Sequence, residues 1–234
     1  MEQVFDADEV RGVLHTPEHA TGDALALTHG AGSNANAPLL VSLSRAFCEA
    51  GLMVLRYDLP FRVARASGPP GPEGTPAGAE RDREGIARAV AALRERVKWR
   101  VFAGGHSYGG RQTAMIAAER PRLADALLLL AYPLHPPRKP DRPRTAFFPE
   151  WRTPALFVHG TRDPFGTVEE LRGAMERIPA LVDLLVVEGA GHDLKGIPGT
   201  DRAASEFPAK SAGNSCQSCL SPGEIMEIMD RMLF

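Results

Sequence analysis

The sequence predicts an α/β fold, a doubly wound and mostly parallel sheet flanked by helices, and three observations carry that prediction. Compact apolar runs at residues 24–28, 126–131 and 154–158 have the composition of strands buried on both faces. Segments with helical periodicity alternate with such runs over short connections, the rhythm of strand–helix–strand units. Several of the runs stop at glycines or polar residues, and sheets of this kind carry function at the carboxyl ends of their strands.

In chain order, residues 10–14 read as a short edge strand, followed by turn material. Residues 24–28, Ala-Leu-Ala-Leu-Thr, form a buried strand ending in His29-Gly30-Ala31-Gly32-Ser33. Asn36 is the expected cap of a helix whose Leu39, Leu40, Leu43, Ala46 and Phe47 recur at helical spacing up to Gly51. Residues 52–56 are a strand ending at Tyr57-Asp58. Residues 59–79, with Gly68-Pro69-Pro70-Gly71-Pro72 at their centre, read as a long exposed loop. Residues 81–97 form an amphipathic helix with Ile86, Val90, Leu93 and Val97 on one face.

The stretch that organises the rest is residues 101–110. An apolar run leads into Gly105-His106-Ser107-Tyr108-Gly109, and a helical segment follows at once. In that strand–turn–helix context Gly-x-Ser-x-Gly predicts a nucleophile elbow, a turn so tight that small residues must flank the serine. Residues 126–131 are the next strand. The proline-rich stretch 132–153 cannot be a long helix and leaves room for a minimal cap at most. Strand 154–158 closes with His159-Gly160-Thr161-Arg162-Asp163-Pro164. Helix 168–177 leads to strand 183–187 and then Glu188-Gly189-Ala190-Gly191-His192. Residues 198–223 read as a polar linker. Residues 224–233 read as a terminal helix docked on the body through Ile225, Ile228, Met229 and Met232.

The bulk properties exclude other classes. A chain of 234 residues with 44% hydrophobic and 24% charged residues suits one soluble domain, spanning the whole chain. A formal charge of −2 gives no electrostatic case for nucleic acid or an anionic membrane. The acidic residues 1–11 lack a signal-peptide core, and the longest apolar run is too short to span a bilayer. Three cysteines make no disulfide framework. Cys48 is expected to be inert. Cys216 and Cys219 have the spacing of half a zinc site but lack a second pair. The glycine-rich turn matches neither phosphate-loop nor dinucleotide spacing. The expectation is a cytoplasmic protein acting on a small acyl substrate without metal or cofactor; the oligomeric state is not legible.

Ser107, Asp163 and His192 each follow a predicted buried strand, where one sheet would bring them together. A serine hydroxyl needs a base to take its proton, an imidazole suits that task, and a carboxylate on the other ring nitrogen fixes its tautomer. Asp58 and Asp193 compete with Asp163. Asp58 precedes the serine, and Asp193 adjoins His192 too closely to face it. His29 and His159 are expected to bond loop backbone, and His106 to pack beneath the elbow. His135 and Arg111 are candidate substrate contacts; a surface role competes for His135. Arg111, Arg142 and Arg144 are candidates to receive a carboxylate or phosphate, against ordinary solvated charge.

Thr28-His29-Gly30-Ala31-Gly32, Gly105-His106-Ser107-Tyr108-Gly109-Gly110-Arg111, Pro133-Leu134-His135-Pro136-Pro137, Gly160-Thr161-Arg162-Asp163-Pro164-Phe165 and Gly189-Ala190-Gly191-His192-Asp193 carry a resemblance covering residues 25–194. The chain resembles the α/β-hydrolase superfamily, near its small dienelactone-hydrolase-like members. More closely it is similar to the group holding testis-expressed and chromatin-complex hydrolase-like proteins and their bacterial homologues. The resemblance implies that fold, with Ser107 as nucleophile, His192 as base and Asp163 as orienting acid. It also implies an oxyanion hole of backbone N–H groups from Tyr108 and Ala31. Tyr108 departs from the methionine expected in the closest relatives, and the segment after Ile197 matches no family ending. The implied activity is hydrolysis of carboxylic esters or thioesters through an acyl-enzyme. A non-catalytic interaction domain and a peptidase or acyltransferase with the same residues are the alternatives.

Overall fold

The structure is a computed structural model, and it describes residues 1–70, 76–195, 225 and 227. One eight-stranded sheet has the order β1-β2-β4-β3-β5-β6-β7-β8. Its strands are β1 (Glu2–Ala7), β2 (Val10–His15), β3 (Ala24–Thr28), β4 (Met53–Asp58), β5 (Val101–His106), β6 (Leu127–Leu130), β7 (Ala155–Gly160) and β8 (Val182–Val187). The pairs β1–β2 and β2–β4 are antiparallel, and from β4 to β8 every neighbour is parallel. The helices are α1 (Pro38–Glu49), α2 (Pro60–Ala64), α3 (Pro76–Arg94), α4 (Tyr108–Glu119) and α5 (Val168–Met175).

The central strands are apolar throughout because both faces are covered. Every residue of β3, β6 and β7 is buried. Successive residues feed opposite layers, as the strand period of two requires. Leu25, Leu27, Phe102, Leu128 and Leu130 pack with α1 residues Leu40, Leu43 and Phe47. Ala24, Ala26, Val101, Ala103, Leu127 and Leu129 pack with Ile86, Val90 and Leu93 of α3 and Ile116 of α4. Ile225 is helical and buried in the α1 layer, and Glu227 is helical and exposed. The rest of the expected linker 198–223 and terminal helix 224–233, with Cys216 and Cys219, lies outside the described residues. No helix among the described residues is long and apolar enough to cross a membrane.

Three expectations are corrected. Residues 10–14 belong to β2, an inner strand, because β1 covers its free side in register from Glu2↔His15 to Ala7↔Val10. Being the edge, β1 buries only Phe5 and so has no apolar run to betray it. Asp8 and Glu9 close this hairpin at φ 52° and 62°, the positive values a two-residue loop needs. The expected loop 59–79 holds α2 and the first turn of α3, each beginning at a proline; the first helical position tolerates proline because its N–H would be unpaired anyway. Asn36 caps nothing. Ala37 precedes α1, and Asn36 Oδ1 accepts from Arg56 Nη1 at 2.6 Å instead. Within 132–153 there is one 3-10 turn, Phe148–Glu150, and it sinks Phe148 and Trp151 fully into the core beside Tyr132 and Phe157.

Candidate functional site

Ser107 stands between β5 and α4 at φ 51° and ψ −115°, a strained conformation for a residue with a side chain. The surroundings impose it. The Ser107 N–H donates to Leu130 O at 2.8 Å, and Ser107 O accepts from Arg111 N at 2.9 Å. Gly105 and Gly109 make the turn possible: a Cβ on Gly105 would lie 2.8 Å from Thr28 O, and one on Gly109 would lie 2.5 Å from His29 O.

The loops after β7 and β8 are laced together. Thr161 N donates to Val187 O at 3.1 Å, Arg162 N to Ala190 O at 2.9 Å and Gly189 N to Thr161 Oγ1 at 2.9 Å. Gly160 lets them close, since a Cβ there would sit 2.3 Å from Ala190 O. This lacing sets His192 Nδ1 2.8 Å from Asp163 Oδ2, and His192 Nε2 2.8 Å from Ser107 Oγ. The Asp163 side chain has no exposed surface, and its Oδ1 accepts from Phe165 N at 2.8 Å. A buried acceptor-only carboxylate beside Nδ1 selects the tautomer with hydrogen on Nδ1, so Nε2 is left to accept from the Ser107 hydroxyl. The Phe165 ring lies against His192 at 4.2 Å, and His106 Nε2 donates to the His192 carbonyl at 2.7 Å. Burial holds the His106 imidazole below its ordinary range, which favours the neutral ring that makes this single bond.

The other side of Ser107 is built from backbone. The Gly30 carbonyl accepts from His29 Nδ1 at 2.9 Å and from Ser33 N at 3.1 Å. The Ala31 N–H shares that trans peptide and points away from those donors. Gly30 brings the loop against the serine, because a Cβ there would lie 3.4 Å from Ser107 Cβ. Tyr108 supplies the first N–H of α4, a group without an intrahelical acceptor. His29 Nε2 accepts from Leu59 N at 3.1 Å, and burial keeps this histidine below its usual range.

Most of the remaining sequence candidates fall away from the group. Asp58 Oδ1 accepts from Ala35 N at 2.7 Å, and Asp193 pairs with Lys195 at 2.9 Å. His159 alone stays close, its Nε2 donating to Gly166 O at 2.8 Å and its Nδ1, without a hydrogen-bond partner among the described residues, 4.0 Å from Asp163 Oδ2. His135 is buried, its Nδ1 donating to Pro136 O at 2.8 Å and its Nε2 lying 3.4 Å from Glu170 Oε2. It braces the Asp163 loop, with His135 N donating to Phe165 O at 3.0 Å. Arg111, half-buried on α4 one turn beyond Ser107, has a buried Nε with no acceptor among the described residues. Arg142 is exposed.

Sequence reasoning missed Asp82. It is buried on α3, accepting from Tyr108 Oη at 2.8 Å and from Phe61 N at 3.0 Å. Burial pushes its carboxyl above the usual range; burial together with Asp82 pushes the Tyr108 phenol up. Its signal was available: Asp82 falls four residues before Ile86, on the apolar stripe of its helix, where a charge is out of place.

The description of an alpha/beta hydrolase domain matches residues 21–218. Solved structures agree. Dienelactone hydrolase from Anabaena variabilis is 21% identical, covers 85% of this chain and 92% of its own, and superposes with a TM-score of 0.65. Est1E from Butyrivibrio proteoclasticus, with ferulic acid bound, is 16% identical over 83% of this chain and 92% of its own, with a TM-score of 0.66. An alpha-beta serine hydrolase homologue from Coxiella burnetii is 14% identical over 100% of this chain and 95% of its own, with a TM-score of 0.62. At these identities the likeness is one of fold, and with a family match over most of its length the chain belongs to the α/β-hydrolase family, dienelactone-hydrolase-like in architecture.

Proposed function

We propose that this α/β hydrolase is a serine esterase or thioesterase working through an acyl-enzyme on Ser107. The observation that carries the reading is the unbroken chain Ser107–His192–Asp163, with both bonds at 2.8 Å. Ser107 Oγ attacks the substrate carbonyl carbon as His192 Nε2 takes its proton, and the buried Asp163 carboxylate stabilises the imidazolium. The tetrahedral oxyanion accepts from the N–H groups of Tyr108 and Ala31, each worth about 3 kcal/mol in the transition state. His192 then gives the proton to the departing alkoxide or thiolate. A water activated by the same imidazole frees the acid and restores Ser107.

Arg111 is the stronger of the two candidate substrate contacts, because it is half-buried one turn beyond Ser107 while the His135 ring is buried and engaged. Ferulic acid, held by one structural neighbour, is a carboxylic acid, the kind of product that ester hydrolysis releases. A small acyl compound rather than nucleic acid or membrane as partner belongs to the same proposal, as does a cytoplasmic location, which the lack of a cysteine framework supports.

A fluorophosphonate probe at neutral pH tests the reading. Folded wild type is expected to be labelled and Ser107→Ala is expected to stay unlabelled. Absence of label on folded wild type would overturn the proposal in favour of a non-catalytic interaction domain.

A further inference from the structure

Arg62 is the one charged side chain of α2 that is buried, at 6% exposure. No carboxylate pairs with it among the described residues. Its guanidinium is spent on backbone carbonyls: Nε donates to Ser33 O at 2.7 Å, Nη2 to Ala31 O at 3.1 Å and Gly68 O at 2.8 Å, and Nη1 to Arg65 O at 3.2 Å. Burying a cation costs much unless its donors are satisfied, and here they are satisfied almost wholly by main chain. Two of the acceptors belong to the loop after β3, and two to the glycine- and proline-rich stretch beyond α2. The Arg62 guanidinium also lies over the Phe61 ring at 5.0 Å, and Phe61 meets Tyr108 edge to face at 5.8 Å.

We propose that Arg62 is a positioning residue that sets the donor geometry of the loop at Ala31. The inference rests on the serine-hydrolase reading and adds what holds its less visible half in place. The orientation of the loop is fixed at three of the four carbonyls from Gly30 to Ser33. His29 and the Ser33 N–H hold Gly30 O, and Arg62 holds Ala31 O and Ser33 O. With those carbonyls pinned, the Ala31 N–H stays turned outward from its own anchors and cannot flip to satisfy itself internally. A hydrogen bond to a developing oxyanion weakens steeply with misalignment, so a clasp that costs nothing to reorganise during reaction raises turnover and leaves substrate binding alone. A fork of donors in one plane reaches carbonyls on two chain segments; the single ammonium of lysine cannot.

The test compares wild type, Arg62→Lys and Arg62→Gln on a small activated ester and follows amide hydrogen exchange in the same proteins. Loss of a whole oxyanion donor costs about 10²–10³ in kcat, so a loosened loop is expected to cost about tenfold to a hundredfold, with KM unchanged within about twofold. Arg62→Lys should fall between Arg62→Gln and wild type. The Ser33 amide should exchange at least about tenfold faster in Arg62→Gln, while the Ala114 and Ile116 amides of α4 keep their wild-type protection. Unchanged kcat, or a raised KM at unchanged kcat, overturns the proposal, and so does unchanged exchange at Ser33. If wild type hydrolyses no ester, the functional reading fails on its own, and the exchange measurement still decides whether Arg62 holds the loop.

Discussion

The two flanks of Ser107 are built on different principles. On the His192 flank the groups proposed to work are side chains: an imidazole and a carboxylate, each reaching its target at 2.8 Å from loops laced by backbone bonds. On the Ala31 flank the groups proposed to work are backbone N–H donors, and the side chains His29, Arg62 and Asp82 hold main chain or its neighbours. On the proposed reading the first flank can be broken by changing an atom that reacts. The second can be broken only by letting a peptide plane turn. Their failures should therefore differ in size and in kind.

The largest effect belongs to the side-chain flank. Asp163→Asn keeps the shape of the residue and an acceptor for the Phe165 N–H. It puts an amide where Oδ2 now accepts from His192 Nδ1. If the amide NH₂ faces Nδ1, that nitrogen must become the acceptor, the hydrogen moves to Nε2, and the ring no longer accepts from Ser107. Steady-state hydrolysis of an activated ester should lose roughly 10⁴ in kcat, with a fold stable enough to keep the same thermal unfolding profile within a few degrees. A loss below about tenfold would show that His192 does not depend on Asp163 and would remove the functional contrast between the flanks.

That contrast also explains what the sequence disclosed. Parallel strands buried on both faces are uninterrupted apolar runs, so β3, β6 and β7 were legible, while β1 was not because its outward residues face solvent. Ser107, Asp163 and His192 stood out because each polar side chain follows such a run at a loop rich in glycine. Arg62 carried no such mark. It lies in a stretch where proline density suggests a loop, yet Pro60 begins a helix. A residue that acts by satisfying carbonyls distant in sequence is chosen by where those carbonyls go, and no local pattern records that. His135 shows the reverse. A histidine among prolines reads as a surface side chain, with substrate contact as the other reading, and the fold buries it against Pro136 and Glu170.

The backbone flank should be the more acid-sensitive of the two. Behind its loop, Arg56 donates from Nη1 to Ala35 O at 2.9 Å and from Nε to His15 Nε2 at 2.9 Å. Accepting that bond requires a neutral ring, and burial lowers the His15 pKa from the model-peptide 6.5 to about 4. A histidine depressed in the folded state binds its proton more readily when unfolded. Between pH 6.5 and 4 the unfolded chain therefore carries more protons, and stability falls as pH falls through that window. The full span is worth at most about 3.5 kcal/mol, since one pKa unit corresponds to about 1.4 kcal/mol. Denaturant unfolding at pH 7 and pH 4.5 should show wild type losing more stability than His15→Gln, whose amide oxygen can still accept from Arg56. Equal losses would mean that His15 is not the acid-labile element behind the loop.

The smallest effect separates the Tyr108 backbone from its side chain. Tyr108→Phe removes the donor to Asp82 Oδ2 and leaves that buried carboxylate with the Phe61 N–H alone. Burial already holds the Asp82 carboxyl above its usual range, and the tyrosine bond opposes that rise. Losing the bond raises it further. An acid raised in the folded state binds protons more readily there, so stability falls as pH rises through its folded pKa. The deficit of the variant should be absent at low pH, where Asp82 is protonated in both proteins, and reach about 2 kcal/mol above the folded value, the scale of one hydrogen bond to a charged group. Activity should follow a different rule. The group proposed to meet the oxyanion is the Tyr108 N–H, which the first turn of α4 holds whether or not the ring bears a hydroxyl. Ester hydrolysis by folded Tyr108→Phe should therefore keep a kcat close to wild type. A fall approaching that of Asp163→Asn would place the phenol itself against the substrate and make this flank, too, one of side chains.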